Sequence, residues 1–95
     1  MNVSFATVEL RDRYEHIAAA KAAWGEGSAR SYISTVTALQ SAPTLEDLRL
    51  LRSFRLTELS SPSRFALGER STRESVQFTH TPPQQVHVDG WEHDQ

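Results

Sequence analysis

Residues 41–67 read SAPTLEDLRLLRSFRLTELSSPSRFAL, and the way this stretch divides decides the fold. Pro43 cannot continue a helix, so whatever precedes it ends there. Thr44 followed three residues later by Asp47 has the pattern of a capping box, with aspartate where glutamate or glutamine is usual, and it starts a brief turn through LEDLRLL. Beyond that the apolar spacing changes from a helical period to a strand period. Phe54 and Leu56, then the FAL run at 65–67, read as strands separated by a turn at SSPS, residues 60–63. The segment is the junction between a helical half and a strand half.

Upstream, NVSF at 2–5 alternates like a short N-terminal strand, and Thr7 is placed to cap a helix. Leu10, Tyr14, Ile17, Lys21 and Trp24 then recur on one helical stripe, with alanines around them that permit a close neighbour. Trp24 and Tyr14 on that stripe read as core, and His16 as a surface residue. The WGEG break at 24–27 ends this helix. Ser28 is a candidate cap for a second one, whose apolar face is Ala29, Tyr32, Ile33, Val36 and Leu39. So short a break predicts an antiparallel helical hairpin. Downstream, VQF and VHV are short alternating runs with Pro82-Pro83 at the turn between them. Val76 and Phe78 share one strand face, and Val86 and Val88 another. The prediction is one α+β domain over residues 1–95: an N-terminal strand, a two-helix hairpin, then a small antiparallel sheet of three to four strands, with a frayed tail at 92–95.

The 95 residues suffice for one domain, and the absence of cysteine removes disulfides and thiolate metal sites. Charges enter too early for a signal peptide, and no apolar run is long enough for a membrane span, so the expectation is a cytoplasmic protein without membrane contact. The formal net charge is -2, which argues against strong general affinity for nucleic acid. Within that balance the basic charge is concentrated. Residues 49–73 hold Arg49, Arg52, Arg55, Arg64, Arg70 and Arg73 against Glu58 and Glu69, a local excess of four positive charges. Arginine's planar fork suits phosphate oxygens.

Several of these features together resemble a known family. A helix ends in the aromatic-glycine pair Trp24-Gly25, and a second helix is followed by L-x-x-A-x-T-L-E-D-L from Leu39 to Leu48. Next come R-L-x-x-L from Arg55 to Leu59, a later strand pair, and a C-terminal aromatic with histidine. This pattern, over roughly residues 5 to 93, resembles the RelE/ParE toxin superfamily and specifically its HigB-like branch. The resemblance implies a RelE-like fold and a metal-independent endoribonuclease that cuts messenger RNA on the ribosome. It also implies a cognate antitoxin that holds the toxin inactive, and no cofactor. Such chemistry needs fixed cations beside the scissile phosphate and proton carriers flanking it.

Carried over residue by residue, the family's R-L-H places its arginine at Arg55 and its histidine at Thr57. Arg64 aligns with the arginine of the loop before the next strand. The family's W-R-I-x-F aligns on Val76 and Phe78 and puts Ser75 at the catalytic arginine, with Arg73 two residues earlier as the substitute. The closing D-Y-H corresponds to Asp89, Trp91 and His93. The resemblance therefore implies Arg73 and His93 as catalytic residues, and Arg55, Arg64 and Trp91 as RNA-binding residues, with Trp91 stacking on a base. The substitutions at Thr57 and Ser75 open a second reading: a catalytically degenerate homologue that acts by binding protein, either an antitoxin or, as in the ParE branch, DNA gyrase.

Plainer explanations stand beside these. The arginines also fit a solvated flank paired with Glu46, Asp47, Glu58 and Glu69, and Arg49 and Arg52 also suit the carbonyls of the preceding turn. His80, His87 and His93 with Asp89 match no compact metal-binding spacing, so no metal is expected. The SSPS stretch lacks a glycine elbow or neighbouring histidine and is a turn.

Overall fold

In the computed structural model, which describes residues 1–60 and 62–93, the change of period near Phe54 separates a helical layer from a sheet. The elements are β1 (Asn2–Phe5), α1 (Val8–Glu15), α2 (Ile17–Trp24), α3 (Glu26–Ser41), α4 (Leu45–Arg49), β2 (Phe54–Glu58), β3 (Arg64–Glu69), β4 (Ser75–Thr81) and β5 (Gln85–Glu92). The class is α+β, as the patterning predicts, with four helices and a five-stranded mixed sheet ordered β1-β5-β4-β3-β2. The strands β2 to β5 form an antiparallel meander, while β1 joins the far edge parallel to β5. That fifth pairing has no local signal, because its partners lie more than eighty residues apart, Ser4 facing His87.

The buried side of the sheet packs on α3. Tyr32, Val36 and Leu39 form a single stripe of that helix, with no exposed surface, against Leu67, Val76, Phe78, Val86 and Val88. Ala20 of α2 and Ala29 of α3 are also fully buried, and their size lets the two helices approach closely. α3 begins at Glu26, capped by Gly25 in the left-handed region (φ 85), so Ser28 is not its cap but a buried residue of its first turn.

The stripe from Leu10 to Trp24 predicts one helix, and the molecule has two. At His16 the backbone is extended (φ -129, ψ 99). α1 lies along β1, with the rings of Phe5 and Tyr14 5.8 Å apart, and also meets α3, where the Tyr14 hydroxyl donates to Gln40 Oε1 at 2.7 Å. α2 lies against α3. After the break the inward face rotates, leaving Ile17 40% exposed and burying Ala20. Thr7 does cap α1, accepting from the Leu10 N–H at 3.1 Å, and Thr44 and Asp47 complete the capping box of α4.

The second departure is in β5. Gln77 pairs with Gly90 but Phe78 pairs with Val88, so Asp89 is an extra residue in a β-bulge. Before the bulge Val86 and Val88 face the core, and after it the phase shifts so that Trp91 does, opposite Val76. The Trp91 indole N–H donates to Ser28 Oγ at 3.1 Å. Glu92 remains in the ladder opposite Ser75, so strand order reaches into the stretch expected to fray; residues 94–95 and Ser61 of the SSPS turn lie outside the described residues.

Tyr32 ties the helical layer together, its hydroxyl donating to the Leu10 carbonyl at 2.7 Å in a buried setting. Burial pushes its phenol well above the ordinary value of 10.0. Below that pH the phenol is neutral in folded and unfolded chains alike, so its contribution is complete. Above it the unfolded chain loses the proton while the buried phenol keeps it, and stability falls as pH rises. Tyr32→Phe is expected to cost about 1 kcal/mol near neutrality through the lost hydrogen bond. It should also make the further loss at about pH 11 smaller than in the parent, which denaturant titrations at the two pH values will measure.

Candidate nucleic-acid interface

Alternation along the strands sends every second side chain to the face away from α3. That outer face carries Arg55 and Thr57 of β2, Arg64 of β3, Ser75, Gln77 and Thr79 of β4, His87 and Asp89 of β5, and Ser4 of β1. Thr57, Arg64, His87 and Ser4 are exposed. The register places four of these side by side: Arg64 pairs with Thr79, Thr79 with His87, and His87 with Ser4. A row of guanidinium, hydroxyl, imidazole and hydroxyl therefore crosses four adjacent strands, at about 4.8 Å per strand.

Hydrogen bonds order this row. Thr79 Oγ1 donates to Asp89 Oδ2 at 2.8 Å, and Arg64 Nε lies 3.7 Å from the same oxygen. The bulge is what brings Asp89 here. Ser4 Oγ and His87 Nδ1 are 2.8 Å apart. The Asp89 carboxylate is committed to Thr79 and Arg64 rather than to the imidazole, so Ser4, His87 and Asp89 do not form a nucleophile–base–orienter chain. The Arg64 side chain is 45% exposed and that of Asp89 27%, so the pair contributes no more than about 1 kcal/mol and remains open to competition from another anion.

A second basic group lies toward the other end of β3. Arg55, half-buried, reaches the carbonyls of Thr72 at 3.3 Å and Glu69 at 3.5 Å, bracing the turn between β3 and β4. Arg73 is exposed in that turn, and β4 begins only at Ser75, so strand parity does not place it on the outer face. Among the described residues its side chain makes no hydrogen bond or ion pair. Arg55 faces Gly68, four residues along β3 from Arg64, which separates the two basic groups by roughly 13 Å along the strand.

The remaining two predicted residues are elsewhere. Trp91 packs on Tyr32 at 5.3 Å, and His93 lies 5.8 Å from the Trp24 ring, so both belong to the helix side of the sheet. The structure thus places Arg55 and the Arg73 turn at one end and Arg64 at the other, and the thickness of the sheet separates Arg55 and Arg64 from Trp91. His87, which the sequence presents only as a member of a mismatched metal set, is the residue whose place in the outer-face row the spacing does not reveal. Its place between Val86 and Val88 was a signal that it faces out, but its alignment with Arg64 depends on register across three strands. His80, by contrast, is on the core side beside Phe65 at 6.5 Å, so His80, His87 and His93 do not converge.

No family model, curated protein or solved structure matches the chain.

Asp89 offsets the charge of Arg64, so Asp89→Asn is expected to strengthen binding of a fluorescent single-stranded RNA roughly threefold at low salt. The gain should shrink as salt is raised, which anisotropy titrations at two ionic strengths will show.

Proposed function

We propose that this chain is the toxin of a bacterial toxin–antitoxin pair, of the HigB-like branch of the RelE/ParE superfamily. In this reading it is a metal-independent endoribonuclease that cuts messenger RNA at the ribosome and is held inactive by a cognate antitoxin. The observation that supports it most is the outer face itself, where Arg64, Thr79, His87 and Ser4 stand in one row with Arg55 at the far end of the same strands. The sequence resemblance supplies the activity, and the geometry redistributes the roles. Arg64 sits where it can hold the scissile phosphate and stabilise the added charge of a phosphorane-like transition state. His87, oriented by Ser4, takes the proton from the ribose 2′-hydroxyl as its oxygen bonds to phosphorus; the bond from phosphorus to the 5′-oxygen breaks, leaving a 2′,3′-cyclic phosphate and a 5′-oxygen that takes a proton from water. Arg55 and Arg73 grip neighbouring phosphates, which lie within reach along the strand. The helix-side positions of Trp91 and His93 give them structural rather than chemical work in this scheme.

A second reading, in which the protein acts by binding an antitoxin or gyrase, is favoured by specific residues. Thr57 and Ser75 occupy outer-face positions where the family would carry an imidazole and a guanidinium, and Asp89 offsets Arg64.

Induced expression with and without the adjacent open reading frame separates the two. The nuclease reading expects growth arrest relieved by the neighbour, with messenger RNA cut at discrete sites by primer extension. His87→Ala should then lower cleavage by the purified protein by about a hundredfold, a usual share for a proton carrier, with folding unchanged by circular dichroism. Arrest with a DNA-damage response and intact messenger RNA would move the assignment to the binding reading. Cleavage by His87→Ala at the parent rate would remove His87 from the mechanism.

A further inference from the structure

A phosphate approaching Arg64 meets a charge and also a particular edge of the guanidinium. Arginine offers two edges for bidentate contact, one that includes Nε and one formed by the two Nη groups. Asp89 Oδ2 lies 3.7 Å from Nε, so the carboxylate stands on the Nε side. Among the described residues no other group makes a hydrogen bond or ion pair with the Arg64 side chain. The carboxylate is itself held. Thr79 Oγ1 donates to the same Oδ2 at 2.8 Å in a part-buried setting, a shorter contact than the ion pair it supports. Branching at Cβ restricts the Thr79 side chain, and its main chain is fixed by pairing with Arg64 on one side and His87 on the other. The connection therefore runs from a rigid ladder through a hydroxyl and a carboxylate to a guanidinium.

We propose that Thr79 is a positioning residue of the outer face: through Asp89 it holds the Arg64 guanidinium by its Nε side and leaves the Nη1–Nη2 edge for a phosphate. The phosphate is that of an RNA strand, and to this extent the inference rests on the nuclease reading. Two effects of Asp89 are thereby separated. Its charge weakens the attraction of Arg64 for any anion, whereas its placement, set by Thr79, keeps the arginine aligned. An aligned donor pair needs no reorganisation as charge develops on the phosphoryl oxygens, so alignment is felt in turnover more than in binding. An unaligned arginine still draws the strand in, since that attraction depends on charge and falls off slowly with distance. Thr79 lies one strand from Arg64 and one from His87, so the residue between the phosphate ligand and the proton acceptor is the one that fixes the first of them.

Thr79→Val keeps the shape of the side chain and changes no charge, while Thr79→Ser keeps the hydroxyl. In the free protein the Arg64 Nε–H signal, read by nitrogen–proton NMR and assigned with Arg64→Lys, reports the contact directly. Exchange of that proton with water is expected to be about threefold faster in Thr79→Val than in the parent, a size in keeping with an ion pair this exposed. Thr79→Ser should exchange at the parent rate. With a short single-stranded RNA as substrate, Thr79→Val should lower kcat about fivefold with KM within roughly twofold of the parent, and Thr79→Ser should restore kcat. Asp89→Asn should lower kcat while KM falls, because it removes the charge together with the contact. Equal Nε–H exchange in Thr79→Val and the parent would overturn the proposal. So would a Thr79→Ser variant that behaves like Thr79→Val, or a loss carried by KM. A parent that cuts no RNA would sink the nuclease reading alone; the Nε–H comparison needs no RNA and decides the positioning of Arg64 by itself.

Discussion

Among the described residues only one face of the five-stranded sheet has a helix against it, and most of the molecule follows from that. α3 supplies Tyr32, Val36 and Leu39 to a core that the strands meet with Phe65, Leu67, Val76, Phe78, Val86 and Val88. Because side chains alternate along a strand, every apolar residue placed under α3 leaves its neighbours on the other side in water. Those neighbours are Arg55, Thr57, Arg64, Thr79 and His87, and they are polar because no second layer requires otherwise. The outer face is thus a consequence of the core, and its polar row is the set of positions that core packing leaves unconstrained.

The bulge at Asp89 couples the two faces. One added residue sends Trp91 inward to Tyr32 and Ser28 while leaving Asp89 outward beside Arg64 and Thr79. Magnitudes indicate which side holds it in place. A half-exposed ion pair contributes at most about 1 kcal/mol, whereas burying much of an indole with its N–H satisfied contributes about 2 kcal/mol or more. The tryptophan therefore fixes the bulge, and the carboxylate beside Arg64 is carried along with it. The aromatic nearest the C-terminus acts on the outer face indirectly, through the register it sets.

How much of this could be read from the chain depends on whether the cause was local. The Thr7 cap, the Thr44–Asp47 capping box, the turn at Pro82-Pro83 and the inward faces of β4 and β5 were all legible, because each is decided by residues within one turn or one strand. The break at His16 was not, since alanine-rich text on one stripe favours continuation and no proline or glycine marks the bend. The parallel seat of β1 and the extra residue at Asp89 depend on partners far away in sequence. The candidate site divides in the same way. Arg55 and Arg64 were found as members of a conspicuous cluster. His87 reads in the sequence only as part of a set with no metal-binding spacing, because its position across from Thr79 and Arg64 is a relation no window of the sequence contains.

The arginine cluster itself looked like a single surface and is two. Strand parity turns Arg55 and Arg64 onto the outer face, with Arg73 in the adjoining turn, while Arg49, Arg52 and Arg70 gather at the open edge of β2. Folding divides six like charges between a face and an edge, which lowers their mutual repulsion and gives each group a different geometry. On the face, Arg55 and Arg64 stand roughly 13 Å apart along the strands, accompanied by hydroxyls and an imidazole. At the edge Arg49 is paired with Glu46 at 3.6 Å, and Arg52 and Arg70 stand exposed near the start of β2. A net charge of -2 is compatible with both, because the field a ligand meets is set within a Debye length, roughly 10 Å, and not by the sum over the chain.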